Sequence, residues 1–292
     1  MIKHFDSLID LFRAFPTEES CIDHLRAIRW RDGEYCPHCG HGKIYKFKRT
    51  RLFKCGGCNV NFSIRVGTIF EDSRLPLQKW FAAIWLITNH PKGIASTTLA
   101  KDLKVTQKTA WFILHRLRYA TGHKSFNKPL SGIVEIDDGF FGGGGKGPHG
   151  KTQVIGAVER QGDVVARVVP LGLGKPEAQQ FIDETISPSA KMVVTDSGVA
   201  YRSLEGIKHK MVNHSRGGGY RGKAHTQTIE SVWSQLKRQI VGVHHWVSPK
   251  HLQSYINEMA WRLNQRTIQG DDRVSVLLSG IGGRLTYRDL IS

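Results

Sequence analysis

The sequence of 292 residues contains no long hydrophobic segment, few cysteines and comparatively few acidic residues. Its longest strongly apolar run, Trp80 to Ile87, is too short to span a bilayer. The N-terminus has no charged leader followed by an apolar core and a cleavage site, so we expect no signal peptide. These absences predict a cytoplasmic protein that does not enter a membrane.

Basic residues outnumber acidic ones. The chain has 25 Asp and Glu against 42 Lys and Arg, which gives a formal net charge of +17. An excess of this size favours a polyanionic partner, first of all nucleic acid, over the alternative of a basic protein without such a partner. A hydrophobic content of 40% is typical of a globular protein, and the length allows two or three domains.

Four of the five cysteines form two close pairs, and their spacing predicts a zinc site. The pairs are Cys36-Pro-His-Cys39 and Cys55-Gly-Gly-Cys58, separated by fifteen residues. In a reducing compartment such pairs bind metal rather than form disulfides, and four thiolates complete a tetrahedral zinc shell. We therefore predict one structural zinc ion. Cys21 is expected to be a buried core thiol.

The segment between the cysteine pairs alternates apolar and basic residues from Ile44 to Phe53. This pattern predicts a β-ribbon with a cationic face, and we expect that face to contact DNA. The alternative is a solvated basic surface without a ligand. His38 lies inside the first cysteine pair, where we expect it to be a bystander rather than a zinc ligand.

Residues 75–120 are predicted to be helical. Ser96 and Thr106 are candidate N-caps of two short helices, 97–103 and 107–119, joined by a tight turn. This arrangement predicts a helix-turn-helix motif. Its second helix would present four residues to the major groove of DNA: Gln107, Lys108, Trp111 and Arg118. The alternative is a small helical spacer, because such patterns often occur without DNA binding.

From residue 131 the pattern changes to β-strands. The first strand covers about five to seven residues and contains Glu135, Asp137 and Asp138. Because strand side chains alternate, Glu135 and Asp137 share one face and Asp138 points to the other. Further strands are predicted at 152–159, 164–170, 192–196 and 211–212, and helices at 177–186, 226–241 and 249–266. This order of elements predicts a layered α/β domain.

Three acidic residues stand out in this domain. Asp137 and Asp196 end two strands, and Glu230 lies on a helix. An acid in an apolar strand is costly to bury unless it is paired or binds a cation. Three converging carboxylates can hold two divalent metal ions about 3.5–4 Å apart and support phosphoryl transfer. The order strand acid, strand acid, helix acid is typical of the ribonuclease-H-like fold. The alternative is a strand that ends in a solvated turn.

The chain resembles the DDE-type insertion-sequence transposases with an N-terminal zinc ribbon, the ISXO-like group. The resemblance covers nearly the whole chain, and apart from the cysteine pairs it rests on these motifs: VEIDDGFFGG (Val134–Gly143), VIGAVER (Val154–Arg160), TDSGVAY (Thr195–Tyr201), VNHS (Val212–Ser215), HTQTIESVWSQLKR (His225–Arg238) and WRLNQR (Trp261–Arg266). The chain departs from the family pattern at Asp138, where the family often has Glu, and at Gln227, where it often has Asn.

The resemblance implies a ribonuclease-H-like catalytic domain that binds two magnesium or manganese ions through a catalytic triad of Asp137, Asp196 and Glu230. It also implies that Lys237, seven residues after Glu230, contacts DNA near the scissile phosphate, and Arg238 extends this basic surface. Candidate auxiliary residues of the metal site are Gln227, His214 and His225. The expected partners are terminal inverted repeats, target DNA and at least a second copy of the chain, in the nucleoid of a bacterium or archaeon.

Three domains are predicted in total. Residues 1–74 form N-terminal helices and the zinc ribbon, 75–125 the helix-turn-helix module, and 126–292 the catalytic domain. The predicted protein binds inverted repeats, hydrolyses phosphodiester bonds at the element ends and joins the 3′-hydroxyls to target DNA. Two alternatives stay open: a metal-dependent nuclease of the same fold without strand transfer, and a DNA-binding regulator built on an inactive transposase scaffold.

Overall fold

The structure, a computed structural model, describes residues 5–47, 50–142, 150–212, 225–268 and 270–292. The chain divides into two units: unit 1 contains residues 1–123 and 268–292, and unit 2 contains residues 124–267. The C-terminal segment therefore groups with the N-terminal part of the chain. The functional boundaries near residues 74 and 125 stay a prediction.

In the described part of the chain, the helices and strands follow one another in this order: α1 Leu8–Ala14, α2 Glu18–Arg29, β1 Ile44–Lys46, β2 Leu52–Cys55, β3 Asn61–Ser63, α3 Leu77–Asn89, α4 Ser96–Leu103, α5 Gln107–Thr121, β4 Ile133–Phe141, β5 Thr152–Glu159, β6 Val164–Val169, α6 Lys175–Thr185, β7 Met192–Asp196, β8 His209–Val212, α7 Gln227–Gln239, α8 Pro249–Asn264, α9 Gly270–Ser279 and α10 Tyr287–Ile291. Short 3-10 turns lie at Lys124–Phe126 and Val199–Tyr201, and a π-helix, Ile240–His244, continues α7.

A small antiparallel sheet in the order β1-β2-β3 forms the first part of unit 1. It confirms the predicted ribbon between Ile44 and Phe53, and β3 adds a third strand to it. The rings of Phe53 and Phe62 stack with centroids 5.8 Å apart, and Trp30 meets Phe53 edge-on at 5.1 Å. These three buried aromatic side chains form the core beside the sheet. The predicted ribbon residues 48 and 49 lie outside the described part of the chain.

Helices α3, α4 and α5 form the second part of unit 1, together with α9. The predicted cap of α5 is confirmed, because Thr106 Oγ1 accepts a hydrogen bond from the Thr109 amide at 3.2 Å. The prediction of Ser96 as a cap is wrong: Ala95 occupies the N-cap and Ser96 is the first helical residue. The Ser96 hydroxyl instead accepts a hydrogen bond from Gln107 Nε2 at 2.9 Å, so it connects the two helices.

The sheet of unit 2 has five strands in the order β6-β5-β4-β7-β8. Strand β5 runs antiparallel to both of its neighbours, β4 and β6, as the predicted meander requires, whereas β4, β7 and β8 run parallel. Strand β4 is nine residues long rather than five to seven. It continues because β5 pairs with it as far as Phe141, which is buried.

Two helical layers cover this sheet. On one face α7 and α8 pack their apolar residues against side chains of β4, β5 and β6, among them Phe141, Val154 and Val164. On the other face α6 and the turn at Val199–Tyr201 pack against Val134 and Ile136 of β4. Unit 2 is therefore a mixed five-stranded α/β domain. Within the described residues, no helix is both long enough and apolar enough to cross a membrane.

Candidate active site and zinc site

The four predicted zinc ligands meet at one point in unit 1. The Sγ atoms of Cys36 and Cys58 lie 3.8 Å apart, and those of Cys39 and Cys55 lie 3.6 Å apart. All four sulfur atoms are within 4.8 Å of one another. Thiolates bound to tetrahedral zinc at about 2.3 Å would lie about 3.8 Å apart, so the site fits this ion.

Both cysteine pairs form tight turns that orient backbone amides toward sulfur. The amide of His38 donates to Cys36 Sγ at 3.4 Å, and the amide of Gly57 donates to Cys55 Sγ at 3.2 Å. Such N–H donors stabilise thiolates, which are the form that binds zinc. Four sulfur ligands leave no open position, so the site is suited to holding the ribbon together rather than to chemistry.

Asp137 and Asp196 lie at neighbouring strand positions in unit 2. Strands β4 and β7 are parallel, and Ile136 pairs with Thr195, directly before the two acids. Asp137 Oδ2 accepts a hydrogen bond from the indole Nε1 of Trp233 on α7 at 3.0 Å. Asp196 Oδ1 accepts one from the Gly198 amide at 2.9 Å. The sheet thus brings two of the three predicted catalytic acids side by side.

Burial raises the pKa of Asp137 from 3.8 to about 6, against the hydrogen bond from Trp233, which lowers it. The negative charges of Asp138 and Asp196 raise this pKa further. A buried carboxylate beside two like charges is stabilised by a bound cation. Electrostatics therefore favour a divalent metal at this end of the sheet.

Asp138 occupies the opposite face of β4, as predicted from strand alternation. Its carboxylate accepts hydrogen bonds from Gln153 Nε2 at 2.8 Å and from the hydroxyl of Tyr201 at 3.0 Å. Burial raises the pKa of Tyr201, and the nearby Asp138 charge adds to this effect. The hydroxyl therefore stays protonated and acts as the donor in this hydrogen bond.

Glu230 lies in the first turn of α7 and is exposed. Its Oε1 accepts a hydrogen bond from the Thr226 hydroxyl at 3.2 Å. Within the described residues, the four cysteines are the only group of three or more potential ligands whose atoms all approach one another within 4.8 Å. The carboxylates of Asp137, Asp196 and Glu230 are hard oxygen ligands of the kind that magnesium prefers. Their oxygen atoms do not all lie within 4.8 Å of one another.

Glu135 is a site residue that the sequence pattern did not assign to any role. Its side chain is fully buried and contacts the start of α7 through hydrogen bonds from Thr228 and Ile229. Arg160 forms an ion pair with the same carboxylate at 2.6 Å. The one sequence signal for a role of Glu135 was its position between apolar residues in a strand. A carboxylate buried at such a position needs hydrogen-bond or ionic partners.

Two of the three predicted auxiliary residues of the metal site, His225 and Gln227, lie in the described part of the chain and have different surroundings. His225 Nδ1 lies 3.3 Å from Glu135 Oε1, so this ring contacts Glu135. Gln227 is the first residue of α7 and is exposed. His214 lies outside the described residues.

The predicted DNA-contacting residues differ in exposure. Lys237 and Arg238 are exposed on α7, as are Gln107 and Lys108 at the start of α5. Trp111 is half-buried and packs on His115 with ring centroids 4.3 Å apart. Arg118 was expected to face the major groove, but only 1% of it is exposed, because α5 is buried throughout this stretch.

Two families of protein domains match the chain, each over a separate region. The ISXO2-like transposase domain matches residues 129–264, and the transposase zinc-ribbon domain matches residues 16–61. The chain therefore contains one region similar to the ISXO2-like transposase domain and another similar to the transposase zinc-ribbon domain. The first match contains all three candidate catalytic acids, and the second contains all four candidate zinc ligands.

A relative of the chain comes from Halobacterium salinarum (strain ATCC 700922 / JCM 11081 / NRC-1) and is described as an uncharacterized protein in transposable element ISH50. The two sequences are 24% identical over 291 residues, which cover 91% of this chain and 97% of the relative. The similarity therefore extends over nearly the whole length of both proteins.

A solved structure also matches in part. It is a chain of the simian T-cell lymphotropic virus intasome in complex with PP2A regulatory subunit B56 gamma, with 16% identity and a TM-score of 0.29. The match covers 57% of this chain and 61% of that one, so less than two thirds of the matched chain is spanned. A likeness at this level does not establish a shared fold.

Proposed function

We propose that the protein is the transposase of an insertion sequence, which cleaves DNA at the element ends and joins it to target DNA. In this proposal unit 2 is a ribonuclease-H-like catalytic domain. The observation that supports it best is the side-by-side placement of Asp137 and Asp196 at the ends of the parallel strands β4 and β7. The raised pKa of Asp137 supports a cation site at the same place.

Each acid has its own part in the proposed site. Asp137 and Asp196 would hold divalent metal together, since both project from the same end of the sheet. Glu230 would complete the metal shell from the first turn of α7, where its exposed side chain is available to a ligand. Bound magnesium or manganese would supply nucleophile activation and stabilisation of the leaving oxygen in phosphodiester cleavage.

The DNA-binding surfaces in the proposal lie on several elements. The zinc ribbon and the two-helix arrangement of α4 and α5, taken as a helix-turn-helix, would bind the inverted repeats through residues such as Gln107, Lys108 and Trp111. Lys237 and Arg238 would hold the DNA backbone beside Glu230, because they are exposed on the same helix. The net charge of +17 supports such contacts. Because an element has two ends to cut, the active protein would be at least a dimer of this chain. It would act in the nucleoid of the cell.

The test is a strand-transfer assay with the full-length protein. Linear DNA carrying the terminal repeats of the element is incubated with labelled target DNA and magnesium, and cleaved ends and joined products are measured separately. Both products are expected from the intact protein and neither from Asp137→Asn. A scrambled terminal repeat serves as the DNA control.

The same assay separates the two alternatives. Cleavage without joined products would favour a nuclease of the same fold. Specific binding without metal-dependent cleavage would favour an inactive regulator. The side-by-side pair of aspartates speaks against the second alternative, because a DNA-binding scaffold alone has no need for two adjacent half-buried acids.

A further inference from the structure

We propose that Glu135 is a positioning residue: its buried carboxylate fixes the first turn of α7, and with it Glu230, against the strand that carries Asp137. This inference rests on the proposed function, because it concerns the geometry of the same acids. Glu135 lies two residues before Asp137 on the same face of β4. Its contacts are made with residues just before Glu230.

The Glu135 carboxylate forms a dense set of contacts. Oε2 accepts hydrogen bonds from the backbone amides of Thr228 at 2.8 Å and Ile229 at 3.2 Å. Oε1 accepts from the Thr228 hydroxyl at 2.9 Å and from Arg160 Nε at 2.6 Å. Both oxygen atoms are therefore engaged, which is the condition under which a fully buried carboxylate is tolerated.

Thr228 and Ile229 are the second and third residues of α7. Amides in the first turn of a helix lack partners within the helix, and the positive end of the helix dipole attracts a negative charge. Glu135 satisfies two of these amides from a neighbouring strand. The contact is thus a helix cap supplied by β4 rather than by a residue before the helix, and Thr226 at the N-cap position makes no such bond to the helix amides.

Arg160, the residue directly after β5, reinforces the same connection. Its Nε pairs with Glu135, and its guanidinium also donates to the backbone carbonyl of His225 at 3.0 Å. His225 Nδ1 itself lies 3.3 Å from Glu135 Oε1. Contacts among Glu135, Arg160 and His225 consequently connect strand β4, the segment before α7 and the first turn of α7.

The position of Glu230 depends on this turn. Its own side chain is exposed and contacts the Thr226 hydroxyl, so its place is determined mainly by where the backbone of the first turn lies. A shift of that turn would move Glu230 relative to Asp137. Partners that orient metal ligands typically change metal affinity or activity by about 10–100-fold when they are removed.

The experiment compares Glu135→Gln with Glu258→Gln in the full-length protein. Glu258 is an equally buried carboxylate, ion-paired with Arg262 within α8, so it controls for the loss of a buried ion pair in the same unit. We expect Glu135→Gln to raise the manganese concentration for half-saturation, and the magnesium concentration for half-maximal cleavage, by about 10–100-fold. Glu258→Gln should lower thermal stability and leave both concentrations unchanged.

Hydrogen exchange supplies a readout that does not need an active enzyme. In Glu135→Gln, the peptide that contains Thr228 and Ile229 should exchange faster than in the wild type, while the α8 peptide should not. Thr228→Val keeps the side-chain shape and removes one donor, so it should shift manganese binding in the same direction by less and serves if Glu135→Gln does not fold. Unchanged exchange and unchanged manganese binding in the Glu135 or Thr228 variant would overturn the proposal.

Failure of the proposed function gives a different result. If the wild type neither binds manganese nor cleaves DNA, the catalytic proposal fails, whatever Glu135 does. If the wild type is active and Glu135→Gln loses stability to the same extent as Glu258→Gln without any change in metal dependence, Glu135 is only structural.

Discussion

The indole nitrogen of Trp233 donates a hydrogen bond to Oδ2 of Asp137 at 3.0 Å, across 96 residues of sequence. The ring reaches this position because strand β5 has no side chain beneath it at Gly156. A Cβ atom at Gly156 would lie 2.4 Å from Cη2 of Trp233, so close that the ring would have to move. The placement of one candidate catalytic acid therefore depends on an indole and on a glycine that makes room for it.

Gly156→Ala should displace Trp233 and destabilise unit 2. Overpacking of a filled core typically costs about 1–3 kcal/mol, and we expect a loss in this range in urea unfolding. Gly242→Ala is the matched control, since a Cβ there meets nothing within 4 Å. Equal unfolding free energies for the two variants would contradict this role of Gly156.

Asp137→Asn should change the pH dependence of stability in magnesium-free buffer. The pKa of Asp137 is about 6 in the folded protein against 3.8 for the ordinary group, so the folded state binds this proton more tightly. Stability of the wild type should therefore fall as pH rises from about 4 to about 6, by about 3 kcal/mol in total. The Asn variant lacks this loss.

The measurement is the difference in unfolding free energy between Asp137→Asn and the wild type at several pH values. The variant should gain relative stability as pH rises and keep its advantage above about pH 6. Added magnesium should raise the unfolding temperature of the wild type more than that of the variant. A difference that does not vary with pH would mean that Asp137 is not buried as an anion in the metal-free protein.

Most helices and strands could be predicted because their signals are local. Strand β7 has the predicted bounds, Met192–Asp196, since it is a short apolar run that ends in an acid and a glycine turn. The extension of β4 through Phe141 could not be predicted, because it depends on pairing with β5 after the glycine-rich segment. The prediction of Ser96 as an N-cap was wrong for a similar reason. Its hydroxyl accepts a hydrogen bond from Gln107 of the next helix, a contact that the local sequence does not indicate.

The three candidate catalytic acids could be predicted from the sequence, but the contacts that position them could not. Asp137 and Asp196 end recognisable strands, and Glu230 lies on a helix with a clear apolar face. Alternation placed Glu135 beside Asp137, yet its partners Arg160 and Thr228 lie 25 and 93 residues away. Contacts at such separations arise from tertiary packing, which a local pattern does not contain.

Cys36→Ser should lose zinc and unfold the ribbon while the chemistry of unit 2 stays intact. The four sulfur atoms form a closed site, and in such small modules metal binding supplies much of the folding free energy. The intact protein should contain about one zinc per chain by metal analysis. The variant should show faster hydrogen exchange in β1 to β3 and unchanged exchange in β4 and β5. Full retention of zinc in the variant would contradict a four-cysteine site.

DNA binding should weaken steeply with salt, because the positive charge must displace counterions from phosphates. Contact with six to ten phosphates predicts a loss of about 10³–10⁵-fold in affinity between 50 and 200 mM salt. Lys237→Ala should reduce the slope by about one. Lys175→Ala, which removes an α6 lysine that pairs with Glu205, should leave the slope unchanged. A salt-independent affinity would show that the basic surface does not bind DNA.

The last prediction concerns the acids themselves. Asp137→Asn, Asp196→Asn and Glu230→Gln should each abolish cleavage and joining but leave binding to the inverted repeats largely intact. Each substitution keeps the side-chain shape and removes one negative charge that would hold a divalent cation. Recognition of the repeats is expected to lie mainly in unit 1, so the loss of a carboxylate in unit 2 should not affect it strongly.

Two milder variants complete the panel and test which side chains belong to the metal site. Asp138→Asn should retain cleavage, because Asp138 is bound by Gln153 and Tyr201 on the opposite face of β4 from Asp137. Gln227→Ala should also be mild, since a neutral amide is a weaker ligand for a hard cation than a carboxylate. All five proteins are scored for binding, cleavage and joining with magnesium. If Glu230→Gln cleaved DNA normally while Asp138→Asn or Gln227→Ala did not, the third metal ligand would not be Glu230, and the first turn of α7 would have a different role from the one argued above.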